Sequence, residues 1–350
     1  MGLDIGTSGV RAAELSLGKH GATLERFGQV ALPPGAVRDG EVVDVDAVAE
    51  AIKHLWKTVK FGSKKVVLGV ANQKVIVRQV DLPWLPLDEL RSSLAFQVQD
   101  FIPMPVEQAI LDFHPIEEIN DNGRRMLRVL LVAAARDMVT TLLEAVTKAG
   151  LTANQVDLTP FAVLRSLASS ESFGVASMSD AEALVDVGSK VTNIVVHQNG
   201  VPRFVRVLLM GGDNVTEAVA ERMGVPFSDA EDMKQQGSLG PTPGMATSDH
   251  PAARVIESAG HTFVEEIRGS LDYYLAQSGS VPLRRIVVSG GGARLGGLMQ
   301  RLALATRLSV EPAAPLSSVR VGKTGLTPEQ LTFVEPLVTV PVGLAMGVAS

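Results

Sequence analysis

The chain has 350 residues, of which 46% are hydrophobic and 20% charged, a composition that suits a folded globular protein and excludes disordered or low-complexity classes. Its length exceeds what one ordinary core supports, so more than one domain is expected. A formal net charge of -6 with no long basic run argues against a nucleic-acid partner, and the absence of cysteine removes disulfide and thiolate chemistry.

The apolar runs, such as 129–135, fall far short of the roughly 20 residues a membrane span requires, and no signal peptide opens the chain. A cytoplasmic location without direct membrane insertion is therefore expected. Only Met1 to Ile5 precede the first turn glycine, Gly6, which is short for a strand and suggests that native residues lie upstream.

In chain order, apolar stretches around 3–5, 10–15 and 24–32 are separated by Gly6-Thr7-Ser8-Gly9 and by the 18–21 segment, and predict an antiparallel meander. Val45, Val48, Ala49, Ile52, Leu55, Trp56 and Val59 recur at helical spacing, with Asp44 or Asp46 as cap and Gly62 past the end. A β-rich run over 65–71 follows. The order returns with strands at 183–187, 191–197 and 202–209, a helix at 213–223 and a strand at 285–289. Asp4-Ile5-Gly6-Thr7 aligns with Asp186-Val187-Gly188-Ser189, so the architecture is duplicated. Between the copies, 75–150 carries strands at 75–82 and 126–134 and helices at 87–101 and 137–149, an inserted lobe. A second, helical insertion at 211–279 contains the Gly/Pro/Ser-rich stretch 237–251, a candidate mobile loop.

A strand ending in Asp-x-Gly-Thr/Ser and turning back tightly aims successive backbone N–H groups at the turn, a nest that suits phosphate oxygens. Thr7, Ser8 and Ser189 add hydroxyls, Thr192 follows close behind the second turn, and Asp4 and Asp186 can hold Mg²⁺ through its retained waters. Either turn alone is more often a plain hairpin connection than a phosphate site; two facing turns would grip one triphosphate from both sides. Ser289-Gly290-Gly291-Gly292 then turns from a buried strand directly into a helix over 297–306, offering bare backbone and a positive helix end to a nucleotide.

Asp4-Ile5-Gly6-Thr7-Ser8, Asp186-Val187-Gly188-Ser189-Lys190-Val191-Thr192 and Ser289-Gly290-Gly291-Gly292 resemble, in order, the first and second phosphate motifs and the adenosine motif of the actin-like ATPase superfamily. The resemblance implies an α/β fold of two duplicated β-β-β-α-β-α halves with inserted subdomains 1C and 2B. It divides the chain into 1A (1–74 and 151–177), 1C (75–150), 2A (178–210 and 280–350) and 2B (211–279). It further implies ATP and Mg²⁺ as ligands.

The stretch containing Gly211-Gly212-Asp213 and Thr216, followed by Glu231 and Lys234, is similar to the FtsA and PilM branch, whose Glu-x-x-Lys helix contacts ribose and base. Ser228-Asp229-Ala230-Glu231 fits a helix-capping box equally well. The lobe segments Arg78 to Pro83, 87–101 and Phe101-Ile102-Pro103-Met104-Pro105 resemble the PilM lobe. The last residues, 340–350, lack the basic face of the FtsA membrane helix and resemble the second interdomain helix of the fold. The resemblance implies an ATP-binding scaffold of the type IV pilus inner-membrane complex. Its partner would be the cytoplasmic N-terminal peptide of PilN, and a homo-oligomer is a further expectation.

Two rival functions remain: an FtsA-like polymerising division protein, and a sugar-kinase-type phosphotransferase, which would need a base near the γ-phosphate. Asp157, on the first interdomain connection, is the candidate for that base or for activating water in a slow ATPase, although it could equally cap a helix. Gly322-Lys323-Thr324 lacks the upstream P-loop glycine, Ser317 standing in its place, and the six histidines show no ligand spacing. No Gly-x-Ser-x-Gly element supports acyl transfer.

Overall fold

The computed structural model describes residues 1–18, 21–168, 180–237, 251–277 and 279–347. Strands β1 (Gly2–Ile5), β2 (Gly9–Gly18) and β3 (Gly21–Ala31) form the expected meander, followed by a small ribbon of β4 (Val37–Arg38) and β5 (Glu41–Val42). Helix α1 (Val45–Val59) starts where the Asp44 carboxylate accepts from the Ala47 N–H at 2.9 Å, which selects Asp44 over Asp46 as cap. Strand β6 (Lys65–Val70) returns parallel to β1.

The lobe follows as β7 (Val75–Pro83), α2 (Leu87–Val98), β8 (Ala109–Asp121) and β9 (Arg124–Ala135), an antiparallel sheet in the order β7-β9-β8. Its sequence did not reveal β8, because Pro115 and the charged residues of 117–121 mask the strand pattern. One lobe face packs Leu90, Leu94 and Val98 of α2 against Val80, Leu82, Val129 and Leu131. Helix α3 (Arg136–Lys148) lies outside that core: Met138, Leu142 and Val146 bury with Ile52, Leu55 and Leu68 of the first half. The chain then forms β10 (Thr152–Leu158) and α4 (Thr159–Leu167).

The second half runs β11 (Ala181–Val187), β12 (Thr192–Gln198), β13 (Val201–Leu208), then α5 (Gly212–Met223), α6 (Phe227–Gln236) and α7 (Pro251–Leu275), then β14 (Leu283–Ser289), α8 (Leu298–Thr306), β15 (Ser309–Pro312), β16 (Arg320–Val321) and α9 (Pro328–Met346). Most of 237–251, singled out as a mobile loop, falls outside the described residues. Helices α5 and α7 share one core with β11 and β14, through Val215, Val219, Phe263 and Ile267.

The strand orders make the duplication explicit. The first sheet reads β10-β6-β1-β2-β3-β16 and the second β15-β14-β11-β12-β13, with identical parallel and antiparallel pairings in the five shared places. Each half therefore carries a fifth strand and a further helix beyond the expected β-β-β-α-β-α. Those helices, α4 and α9, cross between the halves. A Cβ on Gly343 would lie 1.8 Å from the Ala162 carbonyl oxygen, and one on Gly2 would lie 2.0 Å from that of Pro341, so glycine is required where α9 meets α4 and β1. Val67, Ala162, Leu184, Val195, Val340 and Leu344 fill the space between the sheets.

Candidate functional site

Strands β1 and β11 end in the two predicted turns, and the turns are built alike. The Gly6 N–H donates to the Gly9 carbonyl at 3.0 Å, and the Gly188 N–H to that of Val191 at 2.9 Å. This corrects the expectation that the glycines themselves offer donors: their N–H groups close the turns. The backbone N–H groups of Thr7, Ser8, Ser189 and Lys190 have no acceptor within the described protein and remain open to a ligand. Lys190 forms an ion pair with Glu217 of α5.

Asp4 and Asp186 stand at the ends of these strands. The Asp186 carboxyl is pushed up to about 6, first by burial and then by the nearby Asp4 charge, against hydrogen bonds from Ser289 and Asn193 and the charge of Arg11. Asp4 is raised as well, by burial, with Arg11 opposing. The two carboxylates thus share an electrostatic site, and Arg11 is the cation that acts on both: its Nη1 lies 3.5 Å from Asp4 Oδ2 and its Nη2 donates to Ser8 Oγ at 3.3 Å. Its Nε is buried without a partner. The sequence reading missed Arg11. Part of the signal was in the sequence, Arg11 being the lone cation of the strand over 9–18; its place opposite Asp4 comes from the β1–β2 register.

The third predicted element also reaches this site. Ser289 pairs with Asp186 in the parallel register and donates its hydroxyl to Asp186 Oδ1 at 2.8 Å. Gly290 has φ +83°, and a Cβ there would lie 2.3 Å from the Val187 carbonyl oxygen; on Gly292 it would lie 2.2 Å from Val187 Cγ1. The helix expected over 297–306 is found as α8 from Leu298, with a 3-10 turn over Gly291–Arg294 between it and the first glycine. The glycine loop therefore presents backbone rather than a helix end. Arg294 follows the glycines, its guanidinium 4.0 Å from the centre of the Phe333 ring of α9.

Gly211 and Gly212 sit behind the second turn. The Gly212 and Asp213 N–H groups donate to the Gly188 and Ser189 carbonyls at 2.9 and 2.8 Å, and the Gly211 N–H donates to Asn214 Oδ1 at 2.9 Å. Thr192 Oγ1 donates to the Met210 carbonyl at 2.7 Å. These residues were expected to bind the cofactor; within the protein their hydrogen bonds clamp α5 onto the turn.

Glu231 does not cap α6, which starts at Phe227 without a side-chain cap bond. Its Oε2 instead accepts from Thr216 Oγ1 at 2.5 Å and Lys234 Nζ at 2.6 Å, and Lys234 also donates to Thr216 Oγ1 and the Gly212 carbonyl, at 2.8 and 3.2 Å. Burial would raise the Glu231 carboxyl, but hydrogen bonds from Lys234, Thr216 and Gln235 outweigh it and hold it below the usual range. The Glu-x-x-Lys pair thus ties α6 to the first turn of α5.

Asp157 is engaged elsewhere. It pairs with Arg165 of α4, its Oδ1 accepts from the Leu158 N–H at 2.7 Å, and Arg165 Nε donates to the Gly343 carbonyl at 3.0 Å. Both oxygens are engaged, Oδ2 in a pair with Arg165 that fastens β10 and α4 to α9, so the structure gives no support to the expected role in activating water or a substrate hydroxyl. Among the described residues no cluster of three or more His, Cys, Asp or Glu could cage a metal, and no helix is long and apolar enough to cross a membrane.

Two sheets of one topology, two matched turns and a crossing helix pair define the actin-like ATPase fold. Solved structures agree: EutJ from Carboxydothermus hydrogenoformans superposes with a TM-score of 0.55 at 15% identity over 99% of this chain and 88% of its own. MreB5 of Spiroplasma citri bound to ADP gives 0.52 at 12% over 100% and 98%. The chain belongs to the PilM family: the model of the type IV pilus assembly protein PilM matches residues 2–348. The PilM–PilN type IV pilus biogenesis complex superposes with a TM-score of 0.86 at 27% identity, covering 100% of this chain and 98% of that one. Among curated proteins, the cell division protein FtsA of Bacillus subtilis is 24% identical over 89% of this chain and 78% of its own length.

Proposed function

We propose that this PilM-family scaffold binds ATP between its two halves and presents its inserted lobe to the cytoplasmic N-terminal peptide of PilN. The observation that carries the nucleotide site is the pairing of Asp4 with Asp186 around Arg11, flanked by two turns of identical hydrogen bonding. Open N–H groups of Thr7, Ser8, Ser189 and Lys190, with the Arg11 guanidinium, suit the β- and γ-phosphates. The Gly290 to Gly292 backbone suits the adenosine, with Glu231 and Lys234 beside the ribose and base.

Asp4 and Asp186 fit Mg²⁺ held through its waters rather than by direct ligation, since two carboxylates alone do not complete a cage. When bound, the ion neutralises phosphate charge; the protein's part is to hold both carboxylates in place, Asp186 through Ser289 and Asn193, Asp4 through Arg11.

ATP that binds the closed arrangement better than the open one shifts the halves toward closure. The solved PilM–PilN complex supports PilN as partner, and the lobe exposes Leu87, Phe96 and Phe101 for such a contact. Such a partner brings the protein to the inner-membrane pilus complex. The test is calorimetric titration with Mg·ATP, alongside capture by a PilN N-terminal peptide. Asp4→Ala and Gly188→Val weaken ATP binding with the fold retained, and equal affinity in both variants and the native chain refutes the site. ATP-dependent pelleting together with liposome binding would favour an FtsA-like polymer instead.

A further inference from the structure

The lobe touches the second half as well as the first. Its strand β7 lies beside β13, the edge strand of the second sheet, and Val77 of β7 packs into the cluster that holds Val205 of β13. His114 of β8 meets Phe161 of α4 with ring centroids 6.2 Å apart. Charges run along this seam. Arg203 Nη1 of β13 lies 3.6 Å from Glu117 Oε1 of β8; Arg128 Nη1 of β9 donates to the same oxygen at 3.3 Å and grips Asp81 of β7 with bonds of 2.8 and 3.0 Å.

Glu117 is the joint of this chain. The β8–β9 register shifts between Pro115 and Glu117, an irregularity of the kind that re-aims a side chain out of the ladder. Arg203 is steadied on its own half by donating to Gln198 Oε1 at 3.0 Å. A lone exposed ion pair contributes little. Here the pair ends a network and joins the lobe to the second half, so its geometry would follow any change in how the two sit together.

We propose that the Arg203–Glu117–Arg128–Asp81 chain is a strap that transmits opening and closing of the nucleotide cleft to the lobe. Arg203 rides on the half that carries Asp186, while Glu117 rides on the lobe. Closure of the halves therefore displaces β13 against β8 and either tightens or releases the strap, biasing the lobe between two arrangements. By linkage, a peptide bound to the lobe shifts nucleotide affinity by the same factor. The inference rests on the nucleotide reading of the cleft.

The test is hydrogen exchange of the full chain with and without Mg²⁺ and a non-hydrolysable ATP analogue, with analogue affinity measured separately by calorimetry. In the native protein, amide exchange over 113–119 and 126–131 changes by about fivefold on binding, the lower end of usual couplings. In Arg203→Ala this change is lost while analogue affinity in the absence of peptide stays within about twofold, a shift too small to mark a lost contact. Arg203→Lys, which keeps the charge, and Gln198→Ala, which leaves the bridge, both retain it. The strap is overturned if Arg203→Ala transmits binding to the lobe as the native chain does, or if bound analogue leaves lobe exchange unchanged. Failure of the analogue to bind overturns the cleft reading itself, and the strap loses its input with it.

Discussion

Asp4 and Asp186, one from each half of the chain, end equivalent strands and meet across the cleft closely enough that the charge of the first raises the carboxyl of the second. A buried and a largely buried carboxylate with a single guanidinium acting on both carry excess negative charge that a hydrated cation would offset. Most of the functional account follows from that juxtaposition.

The pH dependence of binding has a definite sign. The Asp186 carboxyl is pushed up to about 6 from an ordinary 3.8, so below about 6 it holds a proton that must leave before it can order the waters of Mg²⁺. Binding of Mg·ATP therefore strengthens as pH rises through about 6 and levels off above it, while Asp186→Asn binds weakly and without that rise. The free protein behaves oppositely. The unfolded chain ionises first, so this group lowers folding stability as pH climbs from 3.8 toward 6, with the full penalty above. Calorimetry and chemical denaturation across pH 4.5 to 8 check the two slopes.

Arg11 is expected to matter to the ligand more than any residue of the Glu231–Lys234 cluster. Arg11→Ala removes charge-assisted bonds to phosphate and weakens Mg·ATP binding by about 10- to 100-fold. It also leaves Asp4 and Asp186 facing each other without a counter-ion, so the melting temperature falls unless Mg²⁺ and nucleotide are present. Thermal melts with and without Mg·ATP detect this dependence.

Gly211→Ala tests the clamp between α5 and the second turn. Its Cβ would lie 2.4 Å from the Gly188 carbonyl oxygen and 2.5 Å from that of Ser189, so the helix start must lift away. A loss of about 1–3 kcal/mol in urea denaturation is expected. Gly200→Ala, where a Cβ meets nothing within 4 Å but φ is +79°, costs about 1–2 kcal/mol from backbone strain alone.

Asp157→Asn separates fastening from catalysis. The pair with Arg165 is partly buried, so its weakening costs about 1–2 kcal/mol of stability, between exposed and fully buried pairs. ATP turnover, whatever its rate, is unaffected once the protein is folded. A selective loss of turnover with unchanged melting would return Asp157 to a chemical role.

The sequence was most legible where function requires local chemistry in short segments. The Asp-x-Gly-Ser/Thr turns announced themselves because the pattern occurs twice after apolar strands, and the triple glycine because the positive φ of Gly290 and the close approach of Gly290 and Gly292 to Val187 restrict residue choice. What escaped was set by pairing across distance. The role of Arg11 depends on the hairpin register opposite Asp4, and that of Asp157 on a salt bridge to Arg165. The clamp behind Gly211 and Gly212 was hidden because the acceptors of the Gly212 and Asp213 N–H groups, the Gly188 and Ser189 carbonyls, arrive from another element. Strand β8 was hidden by Pro115 and the charges of an exposed edge, and the helical reading of the second insertion did not disclose that α5 and α7 share the core of the adjoining sheet.

The most direct measurement is a crystal structure of the chain grown with Mg²⁺ and a non-hydrolysable ATP analogue. One triphosphate should lie between the two turns, its oxygens within hydrogen-bond reach of the Thr7, Ser8 and Ser189 N–H groups and of Arg11, with the metal waters on Asp4 and Asp186. A nucleotide bound to a single half, or anywhere outside the space between Gly6 and Gly188, would contradict the account.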